Sequence, residues 1–411
     1  MREKAPTPSL RRVKVLFLAQ RVPYPPNRGD KITTWRLVER LKRDHEVTIL
    51  AFAHDEGDLE AAQQLRGLGV ETITIRHEER RKKISSLPLL LTKQPLTLGV
   101  YGSTELQAAV DRLLPNVDMA YAFSSSMGAF LIGKGVPWVM HFAELDSDKW
   151  KQYAERKGFP MSWVYRREWR TLLEFERRIA ADTVTNVFCT PLEQTIFQDQ
   201  IPGPDSVVIR NGVDLQHFAP APDKTEPGHL VFTGVMDYFP NADGCQHFVA
   251  EILPRVAEEF PDVRFSIVGS KPGPEVQKLG ATKGVTVTGF VDETSDWLER
   301  AHIAVAPLRI ARGIQNKVLE AMAVGLPVVG TTCATQGVEA ISGRHLLVAD
   351  SAQEQAQLIR GLLREPDQAA RIGASARRFV EEKYDWEVAL KPLDEIIERC
   401  AAARKTQTTT P

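Results

Sequence analysis

Cysteine is scarce in this chain. Cys189, Cys245, Cys333 and Cys400 are the only four in 411 residues, and their spacing matches no metal or redox motif. A reduced, cytoplasmic compartment is the expectation. Long apolar runs are missing too. No stretch approaches the ~20 residues that cross a bilayer, and the polar N-terminus lacks a signal-peptide core. The reading is a protein neither secreted by that route nor spanning a membrane. An excess of one charge is also lacking, since 52 Lys and Arg against 53 Asp and Glu leave a net charge of −1. That argues against nucleic acid as the main partner. The dinucleotide fingerprint G-x-G-x-x-G is absent, and so are internal repeats and low-complexity tracts. What remains is an ordinary globular chain, 43% hydrophobic and 26% charged, long enough for two or three domains.

The most informative stretch is 307–329, PLRIARGIQNKVLEAMAVGLPVV. It follows a short apolar run, 303–306, that reads as a buried strand. Residues 317–324 have helical composition, Gly325 and Pro327 end the helix, and 327–331 reads as the next strand. Strand, loop, helix and strand in this order build parallel sheets. Ligands of such sheets sit at the carboxyl ends of the strands, where the loop 307–315 must lie. A helix N-terminus there favours phosphate. Glu320, one turn into the helix, leans back toward that terminus and suits ribose hydroxyls. The pattern reads as a nucleotide-sugar site.

This stretch resembles the donor-site segment of family-4 glycosyltransferases, which have the GT-B fold. Their E-x7-E pattern has a second Glu followed by A-M-A-x-G-x-P-V-V. Glu320 matches that second Glu, and Arg312 stands where the first would be. The loop 21–31, RVPYPPNRGDK, resembles the opening of sugar transferases associated with exosortase (PEP-CTERM) polysaccharide systems. Residues 207–218, VVIRNGVDLQHF, are similar to the segment that opens the C-terminal half of family-4 enzymes. The resemblance implies an α/β protein of the GT-B class, two Rossmann-like doubly wound domains facing across a cleft. The N-terminal, acceptor-side domain would span 12–208 and be completed by a C-terminal helix at about 385–404. The donor-binding domain would span 209–384, and 405–411 reads as a disordered tail.

The implied activity is retaining transfer of a hexose-type sugar from a nucleotide-diphosphate sugar to a glycan or lipid-linked glycan in polysaccharide biosynthesis. The nucleotide sugar is then a co-substrate. No cofactor is expected, and no metal, because no D-x-D motif sits at a suitable strand end of the C-terminal half. A nucleotide-sugar epimerase and a non-catalytic nucleotide-sugar-binding protein stay open beside it.

The resemblance also distributes roles. Glu320 would hold the ribose. The helix start, with Lys317, Arg312 and Gly313, would hold the diphosphate. Gly289, Phe290 and Val291 would hold the nucleobase through backbone groups, and His141, read at a strand end, would face the reacting sugar. The loop 234–244, GVMDYFPNADG, carries no cation where many relatives carry an Arg and a Lys, so Arg312 and Lys317 are expected to replace them. Gly29, just before the first helix, would let ligand or backbone approach closely. Lys31 beside it reads equally as a ligand-facing or a solvated charge. Asp146 and Asp148 read as an N-cap and first-turn carboxylate of the next helix or as catalytic groups. Arg80, Arg81, Lys82 and Lys83 precede Ile84, Leu87, Leu89, Leu90 and Leu91, a pattern suited to an anionic membrane face. A peripheral position on the inner face of the plasma membrane is the corresponding expectation.

Overall fold

The computed structural model describes residues 12–409. The chain forms two compact units, Met1–Ile209 with Leu390–Pro411, and Arg210–Ala389. The first unit is built on seven strands: β1 Lys14–Ala19, β2 Glu46–Ala53, β3 Glu71–Arg76, β4 Met119–Phe123, β5 Trp138–Ala143, β6 Thr185–Phe188 and β7 Ser206–Val208. They lie in the order β3-β2-β1-β4-β5-β6-β7, all parallel. The second unit has six: β8 His229–Thr233, β9 Arg264–Val268, β10 Val285–Gly289, β11 Ile303–Ala306, β12 Val328–Gly330 and β13 Leu347–Val348. Their order is β10-β9-β8-β11-β12-β13, again all parallel. Helices cover both faces of a parallel sheet, which is why the strands are apolar runs without alternation. Leu16, Phe17, Leu18, Leu230 and Phe232 are all buried.

In each sheet the strand order reverses beside the first strand, between β1 and β4 and between β8 and β11. Ligands of doubly wound sheets sit outside the carboxyl ends of the strands at that point. The loop 307–315 leaves β11 there, followed by the helix Asn316–Ala323.

Three details differ from the sequence reading. The first helix begins at Gly29 instead of after it. The return to the first unit begins at Leu390, beyond a short helix Trp386–Ala389 that stays with the second unit. The last helix then runs Pro392–Thr409, through most of the expected disordered tail, while 410–411 lie outside the described residues. Ala401, Ala402, Ala403, Arg404 and Lys405 are strong helix formers, and they carry the helix onward. Its earlier turns pack on the first unit. Asp394 pairs with Arg40 at 2.5 Å, and Arg399 reaches Val184 O at 3.1 Å and Asp205 at 3.0 Å.

The helix 316–323 is anchored at its far end by Arg377. Its guanidinium donates to Ala323 O at 2.6 Å, Phe218 O at 2.7 Å and Leu215 O at 3.3 Å, and pairs with Glu381 at 2.6 Å. One side chain thereby satisfies a last-turn carbonyl and ties a loop to two helices. Arg377→Ala should cost the second unit about 2–4 kcal/mol, since charge-assisted bonds are lost and carbonyls are left dry. Urea unfolding read on that unit would check it. A loss below about 0.5 kcal/mol would mean water replaces the guanidinium freely.

Candidate functional site

The site is assembled at the carboxyl ends of β8, β9 and β10. Each strand ends on, or is followed at once by, a glycine with positive φ: Gly234 with φ 158°, Gly269 with φ 144° and Gly289 with φ 72°. Two of these turns lie against each other. A Cβ on Gly269 would fall 1.8 Å from Gly234 O, and one on Gly234 would fall 2.8 Å from Asn241 Nδ2 and 3.3 Å from Lys317 Nζ. Only glycine fits where backbones approach this closely. Gly269 N–H donates to Gly289 O at 3.2 Å, so the three ends form one rim.

Lys317, in the first turn of the helix Asn316–Ala323, extends over this rim. Its ammonium donates to Asn241 Oδ1 at 2.8 Å and sits 4.8 Å from the centre of the Phe232 ring. Asn241 in turn donates from Nδ2 to Val235 O at 2.8 Å. A cation from a residue far away in sequence thus bonds to the loop 234–244, which carries none of its own. Burial pulls the Lys317 ammonium down to about 8, against the opposing pull of Cys245 and Glu320. Burial pushes the Glu320 carboxyl up to about 7, with Lys317 working against it. Both side chains are half-buried. The helix start is capped by Gln315 without a side-chain bond.

The loop before the helix is strapped down. Leu308 O accepts Thr331 Oγ1 at 2.5 Å and Cys333 Sγ at 2.8 Å, and Gln315 donates to Arg312 O at 2.9 Å. Gly313 is left-handed, φ 60°, and its carbonyl lies where a Cβ on Gly337 would stand, 2.0 Å away. Arg312 is half-buried within this loop. Phe290, next to Gly289, has an exposed ring, and Val291 is half-buried. The structure thus brings Lys317 to the strand rim, and Glu320 and Arg312 lie in the same helix and its preceding loop. Sequence reading missed Asn241 and Arg309, which forms a bidentate pair with Asp243. Asn241 was legible in principle, as the one side-chain amide in the cation-free loop 234–244.

Four expectations in the first unit need correction. His141 does not project from an open strand end. It lies inside β5, fully buried, with Nδ1 2.8 Å from Tyr121 OH and the Phe123 ring 4.7 Å away. Strand alternation turns it to the face opposite Met140 and Phe142, and burial holds its imidazole down at about 3. It is neutral and closed to a ligand in this conformation. Lys31 is neither solvated nor ligand-facing, because it pairs with the buried Asp58 at 2.9 Å. Gly29 has nothing within 4 Å of its missing Cβ, so no backbone approaches it. Asp146 and Asp148 both stand in the first turn of their helix, but neither caps it, since Leu145 holds the cap position. Asp148 is buried and accepts from Gln152 at 3.0 Å and Gln200 at 3.1 Å.

The polar groups of the first unit gather instead where β4 and β5 end, at two strained residues, Ser124 with φ 81° and Ala143 with φ 62°. Non-glycine residues rarely adopt such angles unless the surroundings impose them. Ser125 Oγ donates to Asp146 at 2.5 Å, and Gln20 Nε2 donates to Ser126 Oγ at 2.6 Å. Behind Asp146, burial and the neighbouring carboxylate drive the Glu176 carboxyl well above its usual range. A cavity of about 440 Å³ adjoins, lined in part by Lys82, Tyr101, Ser103, Gln107 and Ser126.

Residues 227–365 match the family described as "Glycosyl transferases group 1". A phosphatidyl-myo-inositol mannosyltransferase of Propionibacterium freudenreichii is 26% identical over 231 residues, 53% of this chain and 58% of that protein. The chain spans about half the length of the curated relatives it matches. Among solved structures, a sucrose-phosphate synthase from Thermosynechococcus elongatus superposes with a TM-score of 0.72 at 18% identity. That match covers 95% of this chain and all of the other, 100%. Anabaena HepE (Alr3699), solved with UDP and glucose, gives a TM-score of 0.69 at 15% identity, covering 94% and 99%. At these identities the likeness is one of fold: two Rossmann-like parallel-sheet domains of GT-B type.

The opposed shifts of Glu320 and Lys317 have a measurable consequence without any ligand. A carboxyl near 4.5 in the unfolded chain and near 7 in the fold loses stability as pH rises between those values, then no further. Glu320→Gln does not titrate. Its stability relative to the parent should rise by about 1–3 kcal/mol through that window and level off above it. Urea midpoints measured across that pH range would show this. A difference independent of pH would mean that Glu320 is solvated.

Proposed function

We propose that this chain is a retaining, metal-independent glycosyltransferase acting on a nucleotide-diphosphate sugar. The observation that carries the proposal is Lys317 bonded to Asn241 over the β8 rim, with Glu320 one turn further along the same helix. A cation and a helix terminus at one point suit a diphosphate, and a carboxylate beside them suits a ribose. The same groups would stabilise charge developing on the departing diphosphate. The family match over 227–365 falls on this unit, and HepE of the same fold was solved with UDP. Arg312 and Gly313 are assigned to the phosphates, and the backbone at Gly289, Phe290 and Val291 to the base. His141 is given no role in binding or catalysis.

A glycan or lipid-linked glycan as acceptor, a place in polysaccharide biosynthesis and contact with an anionic membrane face belong to the same proposal. The mannosyltransferase likeness supports a lipid-linked acceptor. The loop 21–31 alone supports the exosortase-system association. One observation favours a second reading. The carboxyl pair Asp146 and Glu176 at the strained strand ends resembles the acid–base groups an epimerase requires. Incubation with a panel of nucleotide sugars separates the readings. Nucleoside diphosphate release that requires an added glycan-lipid extract supports transfer. Conversion of donor alone would favour epimerisation, and binding without either change a non-catalytic role.

The residues have separable signatures. Glu320→Gln should weaken nucleotide binding by about 1–3 kcal/mol, because a charge-assisted bond becomes neutral. Lys317→Ala and Arg312→Ala should each weaken nucleoside diphosphate binding far more than nucleoside binding. Calorimetry with both ligands measures this. Equal losses on the two ligands would remove both residues from the phosphates.

A further inference from the structure

The segment 79–97 is folded against the first unit by two neighbouring residues of the helix Met161–Asp182. Arg167 donates to the carbonyls of Leu89 at 2.5 Å, Leu90 at 3.0 Å, Thr92 at 2.6 Å and Gln94 at 2.8 Å. Glu168 accepts from Leu96 N at 2.7 Å, Thr97 N at 2.9 Å and Thr97 Oγ1 at 2.8 Å. A guanidinium holding four carbonyls and a buried carboxylate holding two amides give this loop a fixed shape. Yet its apolar side chains are turned outward. Ile84 is 70% exposed, Leu87 54% and Leu91 91%.

A second apolar tip opens the helix that clamps this loop. Phe159, just before the 161–182 helix, is 86% exposed, and Met161 and Trp163 in its first turn are 42% and 51% exposed. Trp163 lies one turn before Arg167 on the same helix face, so this tip borders the clamped loop. Large apolar side chains grouped in this way on a soluble surface mark an interaction site.

The charges around the tips behave differently from the sequence pattern. Of the run Arg80–Lys83, Arg81 pairs with Glu78 at 2.9 Å and Lys83 with Glu79 at 2.7 Å. Lys82 turns inward to Gly102 O at 2.7 Å. The run is therefore largely neutralised, while Arg80, Lys93, Lys157, Arg166 and Arg170, close to the tips in sequence, are exposed.

We propose that these two apolar tips form one docking face that inserts into the headgroup region of an anionic bilayer. Insertion is carried by Ile84, Leu87, Leu91, Phe159, Met161 and Trp163, with the exposed cations as a rim. Aromatic and aliphatic side chains ringed by Lys and Arg match the interfacial zone of a membrane, where rings lodge at headgroup depth. A second copy of this chain fits less well. A two-fold contact would oppose the same basic rim to itself, and like charges repel. The proposal rests on the membrane contact of the proposed function and gives it its residues; neither tip belongs to the donor site, so its failure leaves the transfer reaction itself untouched.

Sedimentation of the full chain with phosphatidylcholine vesicles, with and without phosphatidylglycerol, tests it. The parent should bind the phosphatidylglycerol vesicles. The double substitutions Phe159→Ser with Trp163→Ser, and Leu87→Ser with Leu91→Ser, should each weaken binding at least about tenfold. Arg81→Gln with Lys83→Gln should change it less than about threefold, because those cations are already paired. An environment-sensitive dye on Leu91→Cys should shift to the blue with these vesicles, which tests insertion without relying on the serine variants. A parent that ignores the vesicles, serine variants that bind as well as the parent, or an unshifted dye would overturn the proposal. A concentration-dependent dimer abolished by the serine variants would overturn it in favour of a self-contact.

Discussion

The second unit depends on how closely two backbone turns can lie at the ends of β8 and β9. Gly234 and Gly269 are positioned so that a single methyl on Gly269 would overlap the Gly234 carbonyl. This closeness leaves room for a side chain to cross the strand ends, and Lys317 does so, reaching Asn241 and the Phe232 ring. The strapped loop 307–315 fixes where the 316–323 helix begins, and Arg377 fixes where it ends. Rim, loop and helix therefore act as one rigid frame. Precision of this kind is what the proposed recognition of a diphosphate and a ribose would require.

The fold class was legible because parallel sheets announce themselves as short apolar runs separated by helices. Nearly every such run in the sequence is a strand, and the reversal of strand order follows from standard crossover connections. The Glu320 segment was legible for a related reason, since a helix ended by Gly325 and Pro327 has one reading only. What the sequence hid was pairing at a distance. Lys31 is next to a glycine-containing loop in sequence, but Asp58, on another helix, captures it. Lys317 is separated from Asn241 by three strands, and nothing local signals their bond. The run Arg80–Lys83 looks like a free positive patch until its acidic partners and Gly102 O are seen.

His141 shows a different failure. The strand was expected where it is, but one residue of alternation decides whether a side chain meets a crevice or a core. On β5, Met140 and Phe142 take one face and His141 the other, against Tyr121 and Phe123. Burial there keeps the imidazole neutral far below its ordinary range. The polar chemistry of that sheet lies a few residues further on, past the strained Ala143, where Ser125, Asp146 and Glu176 meet. Strain at two adjacent strand ends is not readable from composition. Neither Ser124 nor Ala143 is a residue type that advertises a positive φ.

The helix Asn316–Ala323 carries the strongest conflict between local rules and fold, and the conflict has a direction. Glu320 and Lys317 are both drawn partly out of water, so each is pushed toward its neutral form, and each partly restrains the shift of the other. Neither serves stability well, since a glutamine or an aliphatic side chain would fold there at lower cost. Sequences that specify a fold rarely accept such a cost away from functional sites. A ligand bringing hydroxyl donors to the carboxylate and negative charge to the ammonium would favour the ionised form of both residues at once. Such a ligand binds the folded state alone, so its binding energy returns as stability. For Lys317 and Glu320, one turn apart on the same helix, the proposed diphosphate and ribose are ligands of that kind.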